Sequence, residues 1–293
     1  MTIDGAGPGG STDVTKDTTP TLTGTFDAAP GTAVTVSVAG QALTTQVLAT
    51  GTWAVTASQL PAGNHTVVAT VRDAAGNHGS ATQRLTVEVN PAPVDLAGAS
   101  SFSVLGGSAV SSAGPTWVSG DLGLSPLGLV TGFPPGLVGG DIHDKDGAAG
   151  LARADLRAAY DELDARTPHQ SVVGNLGGQT FHAGIHHATT ALALTGSVTL
   201  DAEGDPSAVF VFQGDAAFDT AAAARVVLTG GARPQNVYWQ IEGAVGTGAS
   251  TSMVGTILTA GAITLGDGTQ LIGRALSLGA VTLTASSLRL SSG

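Results

Sequence analysis

The sequence contains no cysteine and few charged residues. Without cysteine, neither a disulfide framework nor a thiolate metal site can form. Charged residues make up 11% of the chain, against about 25% in an average soluble protein, and the only lysines are Lys16 and Lys145. The net charge of −11 excludes the basic stripe that binds phosphate backbones, so we expect no nucleic-acid partner.

Apolar runs of membrane-spanning length are also missing. A spanning helix needs about 18 consecutive apolar residues, and every apolar run in this sequence is interrupted well before that length. We therefore expect no membrane insertion. The N-terminal residues MTIDGAGPGG have neither a charged n-region nor an apolar h-region, so they predict no signal peptide.

Small and β-branched residues are abundant instead, including 43 glycines among 293 residues. This composition favours closely stacked β-structure, and the length suffices for two domains with a core each. Residues 18–90 contain short alternating segments separated by turn signals, which predict a β-sandwich. The alternating segments include 21–26, 34–38, 53–55, 65–71 and 84–89, and the turn signals lie at 29–31, 61–64 and 75–77.

The segment Gly51-Thr52-Trp53-Ala54-Val55, with Leu60-Pro61-Ala62-Gly63 after it, resembles the bacterial Ig-like repeats of large surface adhesins. Before this domain, residues 1–17 are predicted to be a disordered or linker segment. After it, Asn90-Pro91-Ala92-Pro93 predicts a stiff linker.

From residue 96 to residue 291 the sequence repeats. The step from Gly255 to Gly273 is 18 residues and accommodates three short strands, a period typical of a β-solenoid. Phe102-Ser103-Val104-Leu105 and the following Gly107–Ser111 segment fit the same template far earlier in the chain. The first coil therefore resembles the last coils more than it resembles its sequence neighbours.

One segment departs from the β pattern. Between Ala148 and Arg166 the apolar residues fall on one face of an amphipathic helix. Asp144 or Asp146 can cap its N-terminus, and Pro168 follows its end. We expect the apolar stripe to dock on the solenoid face whose strands have apolar residues at adjacent positions, because both sides of such strands are buried.

Several motifs occur in one order along residues 96–291: Phe102–Gly107, Ser119–Pro126, Thr131–Gly136, Leu176–Thr180, Leu200–Pro206, Val209–Gln213 and Gly273–Leu276. Together they resemble the microbial ice-binding proteins, the DUF3494-type family. The resemblance implies an all-β fold with one long helix, in which the Ig-like β-sandwich precedes a discontinuous right-handed β-solenoid of triangular section with the α-helix packed alongside. It also implies ice as the ligand.

An ice receptor needs a flat, rigid, uncharged surface whose groups repeat at lattice-like intervals, which a stacked sheet provides. If Ile263, Leu265, Val281 and Leu283 point inward, their neighbours on the middle strand of each coil point outward. The predicted ice-binding residues are Ala109, Ser111, Ser197, Thr199, Ala244, Gly246, Ala262, Thr264, Ala280 and Thr282.

In hyperactive family members this strand resembles a Thr-Ala/Gly-X-Thr/Asn motif. Gly279-Ala280-Val281-Thr282 and Gly261-Ala262-Ile263-Thr264 keep its last three positions, with glycine in the first. Asp219 places a charge in the row and is expected to mark its edge. The rival face is the third strand, with Thr251, Thr269 and Ser287 expected outward beside Arg225 and Arg289, Met253 and Leu271.

Other constellations favour simpler interpretations. Adjacent His186 and His187 face opposite sides of a strand, so with His182 they predict surface or packing histidines and no metal site. Residues 141–147 lack the ligand pattern of a calcium loop and indicate a helix cap. The acidic residues are scattered over turns, where a polysaccharide-cleaving enzyme would need a carboxylate pair.

We therefore expect a protein that is not an enzyme, needs no cofactor and adsorbs to the surface of ice crystals. By that adsorption it gives thermal hysteresis and inhibits recrystallisation. We expect it to be a monomer, secreted or at the cell surface. The alternative is a cell-surface adhesin module that binds a carbohydrate or a partner cell.

Overall fold

The computed structural model describes residues 2–4, 14–72, 76 and 78–291. This part of the chain consists mostly of strands and contains one α-helix. No described helix has the length and apolarity needed to cross a membrane.

The first of two compact units, Met1–Val89, has two β-sheets around an apolar core. Strand Ala33–Val38 alternates strictly between exposed and buried positions, which directs Val34, Val36 and Val38 into that core beside Trp53. One sheet comprises Thr2–Asp4, Thr21–Thr25 and Thr52–Thr56, and the other comprises Val14–Thr15, His78–Val87, Gly63–Arg72, Ala33–Val38 and Gln41–Gln46.

Part of the segment 1–17, expected to be disordered or a linker, belongs to these sheets. Thr2–Asp4 pairs antiparallel with Thr21–Thr25, and Val14–Thr15 pairs parallel with the strand that ends at Val87. Strands of two or three residues are too short to show an alternating pattern, which is why the sequence did not indicate them. Residues 5–13 of that segment, and most of the turn predicted at 75–77, lie outside the described residues.

The second unit, Asn90–Gly293, is a stack of parallel strands. Successive coils contribute one strand each to a seven-stranded sheet, which we call the flat sheet. In spatial order it comprises Val130–Thr131, Ala109–Ala113, Ala280–Thr284, Ile263–Leu265, Val245–Thr247, Phe218–Thr220 and Leu192–Leu194.

The remaining strands of this unit form one large sheet that continues around a corner through two long strands, Ser252–Thr259 and Gln270–Ser277. Their second halves pair with strands on the side of the stack that the α-helix covers, which we call the helix side. Their first halves pair with the third strands of the coils. The helix side also contains Phe102–Gly106, Asp121–Leu124, Ile142–Asp144, Gln170–Ser171, Gly184–Ala188, Phe210–Gly214 and Val237–Ile241. The third strands also include Trp117–Val118, Leu137–Val138, Thr180–Phe181, Ser197–Asp201, Arg225–Thr229 and Ser287–Arg289.

The first coil lies beside the last coils, as the repeated template indicated. Ala109–Ala113 pairs residue by residue with Ala280–Thr284, and Phe102–Gly106 pairs with Gln270–Ser277. The chain therefore closes its stack with segments that are far apart in sequence.

Hydroxyl groups fix the corner that precedes the flat sheet. Thr259 Oγ1 accepts a hydrogen bond from Gly261 N at 2.9 Å and donates one to Gly243 O at 2.5 Å. One coil further on, Ser277 Oγ accepts from Gly279 N at 2.8 Å and donates to Gly261 O at 2.7 Å. These bonds tie each coil to its neighbour and set where the next strand begins.

The helix Gly147–Asp164 covers the helix side of the stack, which confirms the predicted helix and its dock. Asp146 is its N-cap and accepts a hydrogen bond from Ala149 N at 2.9 Å. Its buried stripe is Ala149, Ala152, Leu156, Ala159, Tyr160 and Leu163, and all but the first pack in one cluster with Ile185, Val209, Val211, Tyr238, Leu258 and Leu276.

Candidate functional site

The flat sheet turns its apolar residues inward and its small residues outward. Val281 and Leu283 are fully buried, whereas Thr282 between them is exposed. Ile263 and Leu265 flank an exposed Thr264 in the same way. The parity predicted for these two strands is therefore confirmed.

Six neighbouring strands of the flat sheet have an alanine at the same level, either as their first residue or immediately before it, and we call these residues the alanine row. Ala109 pairs directly with Ala280. The register continues across the sheet, since Val245 N donates to the carbonyl of Ala262 at 2.8 Å and Phe218 N to that of Ala244 at 2.9 Å. All six are exposed or half-buried: Ala109, Ala280, Ala262, Ala244, Ala217 and Ala191.

A second line of side chains lies two residues further along each strand. We call its first four members, which carry hydroxyls, the hydroxyl row. The row comprises Thr131, Ser111, Thr282 and Thr264, each paired with the next. Ser111 Oγ donates to Thr282 Oγ1 at 3.3 Å. The same line continues through Gly246, Asp219 and Ala193.

The two lines form a two-dimensional array. Adjacent strands are about 4.8 Å apart, and side chains on one face of a strand repeat about every 6.7 Å. Methyl groups and hydroxyls occupy most positions, and Asp219 is the one charged residue in either line. At the opposite edge of the sheet the alanine row ends at Leu129, whose side chain is exposed. The Leu129 carbonyl accepts a hydrogen bond from Val110 N at 3.1 Å, which places Leu129 in line with the row.

The prediction that Ser197 and Thr199 continue this array is wrong. They lie on strand Ser197–Asp201, which pairs with Arg225–Thr229 among the third strands. The corresponding coil contributes Leu192–Leu194 to the flat sheet. Both strands alternate small and apolar residues, and only two residues separate them, so the sequence pattern does not distinguish which one faces which side.

Sequence reasoning also missed members of the array. Thr131 extends the hydroxyl row by one strand, and Ala217, Ala191 and Ala193 extend the lines at the other end. Thr131 lies on a two-residue strand with no readable period. For Ala193, the sequence signal is the apolar–Ala–apolar pattern of Leu192–Leu194.

The rival face differs from its prediction as well. Thr251 and Thr269 are completely buried and hydrogen-bond to Thr220 at 3.1 Å and to Thr247 at 2.8 Å. These hydroxyls form hydrogen bonds inside the corner between two sheets and are not exposed to solvent. Met253 and Leu271, also expected outward, are buried too.

The outward positions of the third strands form a mixed surface. Ser252, Gln270 and Ser287 are joined there by two guanidinium groups and by apolar side chains. A shallow groove of about 510 Å³ runs between Gln270, Ile272, Ser287 and Arg289. Uneven relief and charge distinguish this surface from the flat sheet. The additional outward residues are Arg225, Val227, Ile272 and Arg289.

The histidines serve packing and surface contacts. His186 is buried between the Phe181 and Phe212 rings, with its Nε2 3.0 Å from His182 O. Burial lowers the pKa of His186 to about 4, so its ring is neutral at pH 7. His187 points the other way and lies 2.8 Å from the Asp215 carboxylate.

Near the helix N-terminus, ligand-type atoms of Asp121, Asp141 and His143 lie within 4.8 Å of one another. His143 Nδ1 is 2.7 Å from Asp146 Oδ2, and this hydrogen bond raises the pKa of His143. Asp121 Oδ1 accepts from Asp141 N at 3.0 Å. These side chains therefore tie the loop to the helix cap, which is the arrangement expected for residues 141–147.

The fold and the surface define a class of protein: a two-unit β-protein whose stacked coils display a regular, nearly uncharged array of methyls and hydroxyls. Residues 104–289 match the family model described as Ice-binding-like, and residues 3–90 match that of a bacterial Ig-like domain. The chain belongs to the ice-binding-like family.

Relatives of this chain include proteins named as ice-binding proteins. An ice-binding protein of Nostoc sp. (strain HG1) is 39% identical over 173 residues, which are 58% of this chain and 64% of the relative. One of Flammulina populicola is 29% identical over 195 residues, covering 59% of this chain and 78% of the relative. The chain thus spans less than two thirds of the Nostoc protein.

Solved structures are similar as well. The crystal structure of an ice binding protein from an Antarctic biological consortium has a TM-score of 0.69 at 39% identity, covering 70% of this chain and 94% of that one. That of an ice-binding protein from Antarctomyces psychrotrophicus has a TM-score of 0.66 at 34% identity, covering 69% of this chain and 100% of that one.

Proposed function

We propose that residues 96–291 bind ice through the outward face of the flat sheet, and that this adsorption gives thermal hysteresis and inhibits ice recrystallisation. The observation that carries the proposal is the alanine row beside the hydroxyl row. Family membership supports ice as the ligand, and the regular array supports this particular face.

The array suits a ligand made only of ordered water. Methyl groups do not hold water tightly, and interspersed hydroxyls can take positions in a hydrogen-bonded water layer. Carboxylates and guanidinium groups would instead bind their own hydration water strongly. The rival surface carries Arg225 and Arg289 among bulkier side chains, which makes it the poorer match.

The proposal extends to the fold and the setting. Three successive strands per coil, as in Val237–Ile241, Val245–Thr247 and Ser252–Thr259, suit a solenoid of triangular section, and parallel crossover connections favour the right-handed form. We propose an extracellular monomer that acts without a cofactor and without catalysis. The Ig-like unit would then act as a spacer.

A pair of tyrosine substitutions tests the face. Thr264 lies in the middle of the array and Gln270 on the rival surface, and both are exposed. Because a tyrosine ring disrupts a flat contact, Thr264→Tyr should weaken adsorption to ice at least about tenfold, equivalent to about 1.4 kcal/mol, and should therefore lower both recrystallisation inhibition and thermal hysteresis. Gln270→Tyr should match the wild type.

The outcomes of this experiment decide whether the protein binds ice and which face binds it. If the wild type leaves ice growth unaltered, ice binding is refuted and the adhesin alternative takes its place. If Gln270→Tyr alone abolishes activity, the rival surface is the binding face. Circular dichroism and thermal unfolding of both variants show whether a loss of activity reflects a loss of fold.

A further inference from the structure

Asp219 interrupts the array close to one end. It is exposed on the strand Phe218–Thr220, and it pairs with Gly246 on one side and Ala193 on the other. Its carboxylate also covers its neighbour, because a Cβ placed on Gly246 would collide with Asp219 Oδ1. The charged group of Asp219 therefore occupies two positions of the line, its own and that of Gly246 on the neighbouring strand.

The surface beyond Asp219 returns to small uncharged side chains. Ala217 immediately precedes the strand Phe218–Thr220, which carries Asp219. Ala191 immediately precedes the last strand of the sheet, Leu192–Leu194, on which Ala193 lies. These residues keep the register of the alanine row and its neighbouring line. A single carboxylate thus separates the last strand, Leu192–Leu194, from the rest of the array and interrupts the strand next to it, Phe218–Thr220.

No described residue donates a side-chain or backbone hydrogen bond to the Asp219 carboxylate. By contrast, Asp215 four residues earlier is bonded to His187 at 2.8 Å, and Asp205 on another turn accepts from Ser207 N at 2.8 Å. Among the described residues the Asp219 carboxylate therefore has no hydrogen-bond donor, and its side chain is exposed on the outward face of the sheet.

We propose that Asp219 sets the length of the ice-adsorbing surface, an inference that rests on the proposed function of the flat sheet. An ionised carboxylate keeps its hydration water through strong charge-assisted hydrogen bonds, and stripping that water is costly. Ice contact then extends no further than the strand Val245–Thr247. The contact runs over at most five strands, about 19 Å, where the sheet offers seven, about 29 Å.

The test is a gain of function. Asp219→Thr removes the charge, restores a hydroxyl to the line and frees the two outer strands, so we expect recrystallisation inhibition at a several-fold lower protein concentration, roughly tenfold if the added contact contributes about 1.4 kcal/mol. Asp219→Ala should give a similar increase. Asp219→Lys retains a charge at the same place and should give none.

Two controls separate this inference from the proposed function. Asp27→Thr changes the net charge equally at an exposed position of the Ig-like unit and should leave activity at the wild-type level. Thr264→Tyr reports on the face itself. If Thr264→Tyr abolishes activity while Asp219→Thr and Asp219→Ala, both folded, remain at the wild-type level, Asp219 is not the boundary. If Thr264→Tyr has no effect, the flat sheet is the wrong face and both proposals fall.

Discussion

Replacing Gly261 by threonine should destabilise the protein, even though it restores the first position of the Thr-Ala/Gly-X-Thr/Asn pattern. Gly261 lies at the corner before strand Ile263–Leu265. A Cβ there would meet the carbonyl carbon and oxygen of Gly243, which belong to the neighbouring coil. The Thr259 and Ser277 hydroxyls hold Gly261 from both sides, so the corner cannot shift freely.

The size of the loss in unfolding free energy depends on which atoms collide. Forcing extra atoms into a packed site costs about 1–3 kcal/mol, and the upper part of that range applies because a backbone carbonyl cannot rotate away. The better strand propensity of threonine returns at most about 1 kcal/mol. We expect Gly261→Thr to lower the free energy of unfolding by about 2 kcal/mol, or the Tm by roughly 4–8 °C for a unit of this size.

Gly246→Thr is the matched control, because it makes the same substitution on the same sheet. The atom in the way is Asp219 Oδ1, the end of an exposed side chain that can rotate. Its expected effect is within about 1 kcal/mol of zero, since relief of the clash is cheap and threonine suits a strand.

Urea unfolding followed by circular dichroism measures both variants against the wild type. Equal midpoints for Gly261→Thr and wild type, or an equal loss in both variants, would refute the argument that the corner excludes a side chain. Recrystallisation inhibition by Gly261→Thr at a temperature where it is folded should not exceed that of the wild type.

Three further substitutions test the core. Burial lowers the native pKa of His186 to about 4, below the unfolded value of about 6.5. The contribution of His186 to the free energy of unfolding is therefore complete above pH 6.5 and falls by about 3 kcal/mol in total as the pH falls towards 4. In His186→Phe the pH dependence of the urea midpoint should be flatter. Gln213→Ala removes the hydrogen bonds that the amide donates to Leu163 O at 2.6 Å and to Arg166 O at 3.0 Å, so we expect a loss of about 1–3 kcal/mol and faster amide exchange at the end of the helix. Trp239→Phe keeps a ring in the stack but removes the 2.9 Å hydrogen bond from Nε1 to Val254 O, and a similar loss of unfolding free energy, about 1–3 kcal/mol, is expected by the same urea titration.

Periodicity made much of this fold predictable from sequence. The helix Gly147–Asp164 combines a 3.6-residue apolar stripe with an aspartate cap, and the parity of Thr264 and Thr282 follows from the apolar residues on either side of each. The pairing of Ala109–Ala113 with Ala280–Thr284 followed from a shared template. In each case a local pattern repeats often enough to fix which side is buried.

The errors arose where a local pattern has two solutions. Ser197 and Thr199 alternate with apolar residues as the flat-sheet strands do, and only the pairing with Arg225–Thr229 assigns them to another side. Thr251 and Thr269 resemble displayed hydroxyls, yet they bond to other threonines inside a corner. Residue type identifies neither a strand's partner nor the partner of a hydroxyl, because both depend on contacts between coils.

The corner at Gly261 and the charge at Asp219 together determine the size of the proposed ice-contacting surface. Because the corner excludes a side chain at the first motif position, the array in this coil begins with Ala262 and Thr264 and cannot be widened there by a further threonine. Its length is not limited in this way, since the strand beyond Asp219, Leu192–Leu194, already carries Ala193 in register with it. Substitutions that lengthen the surface should therefore raise ice affinity, whereas substitutions that widen it at the glycine corner should reduce stability first.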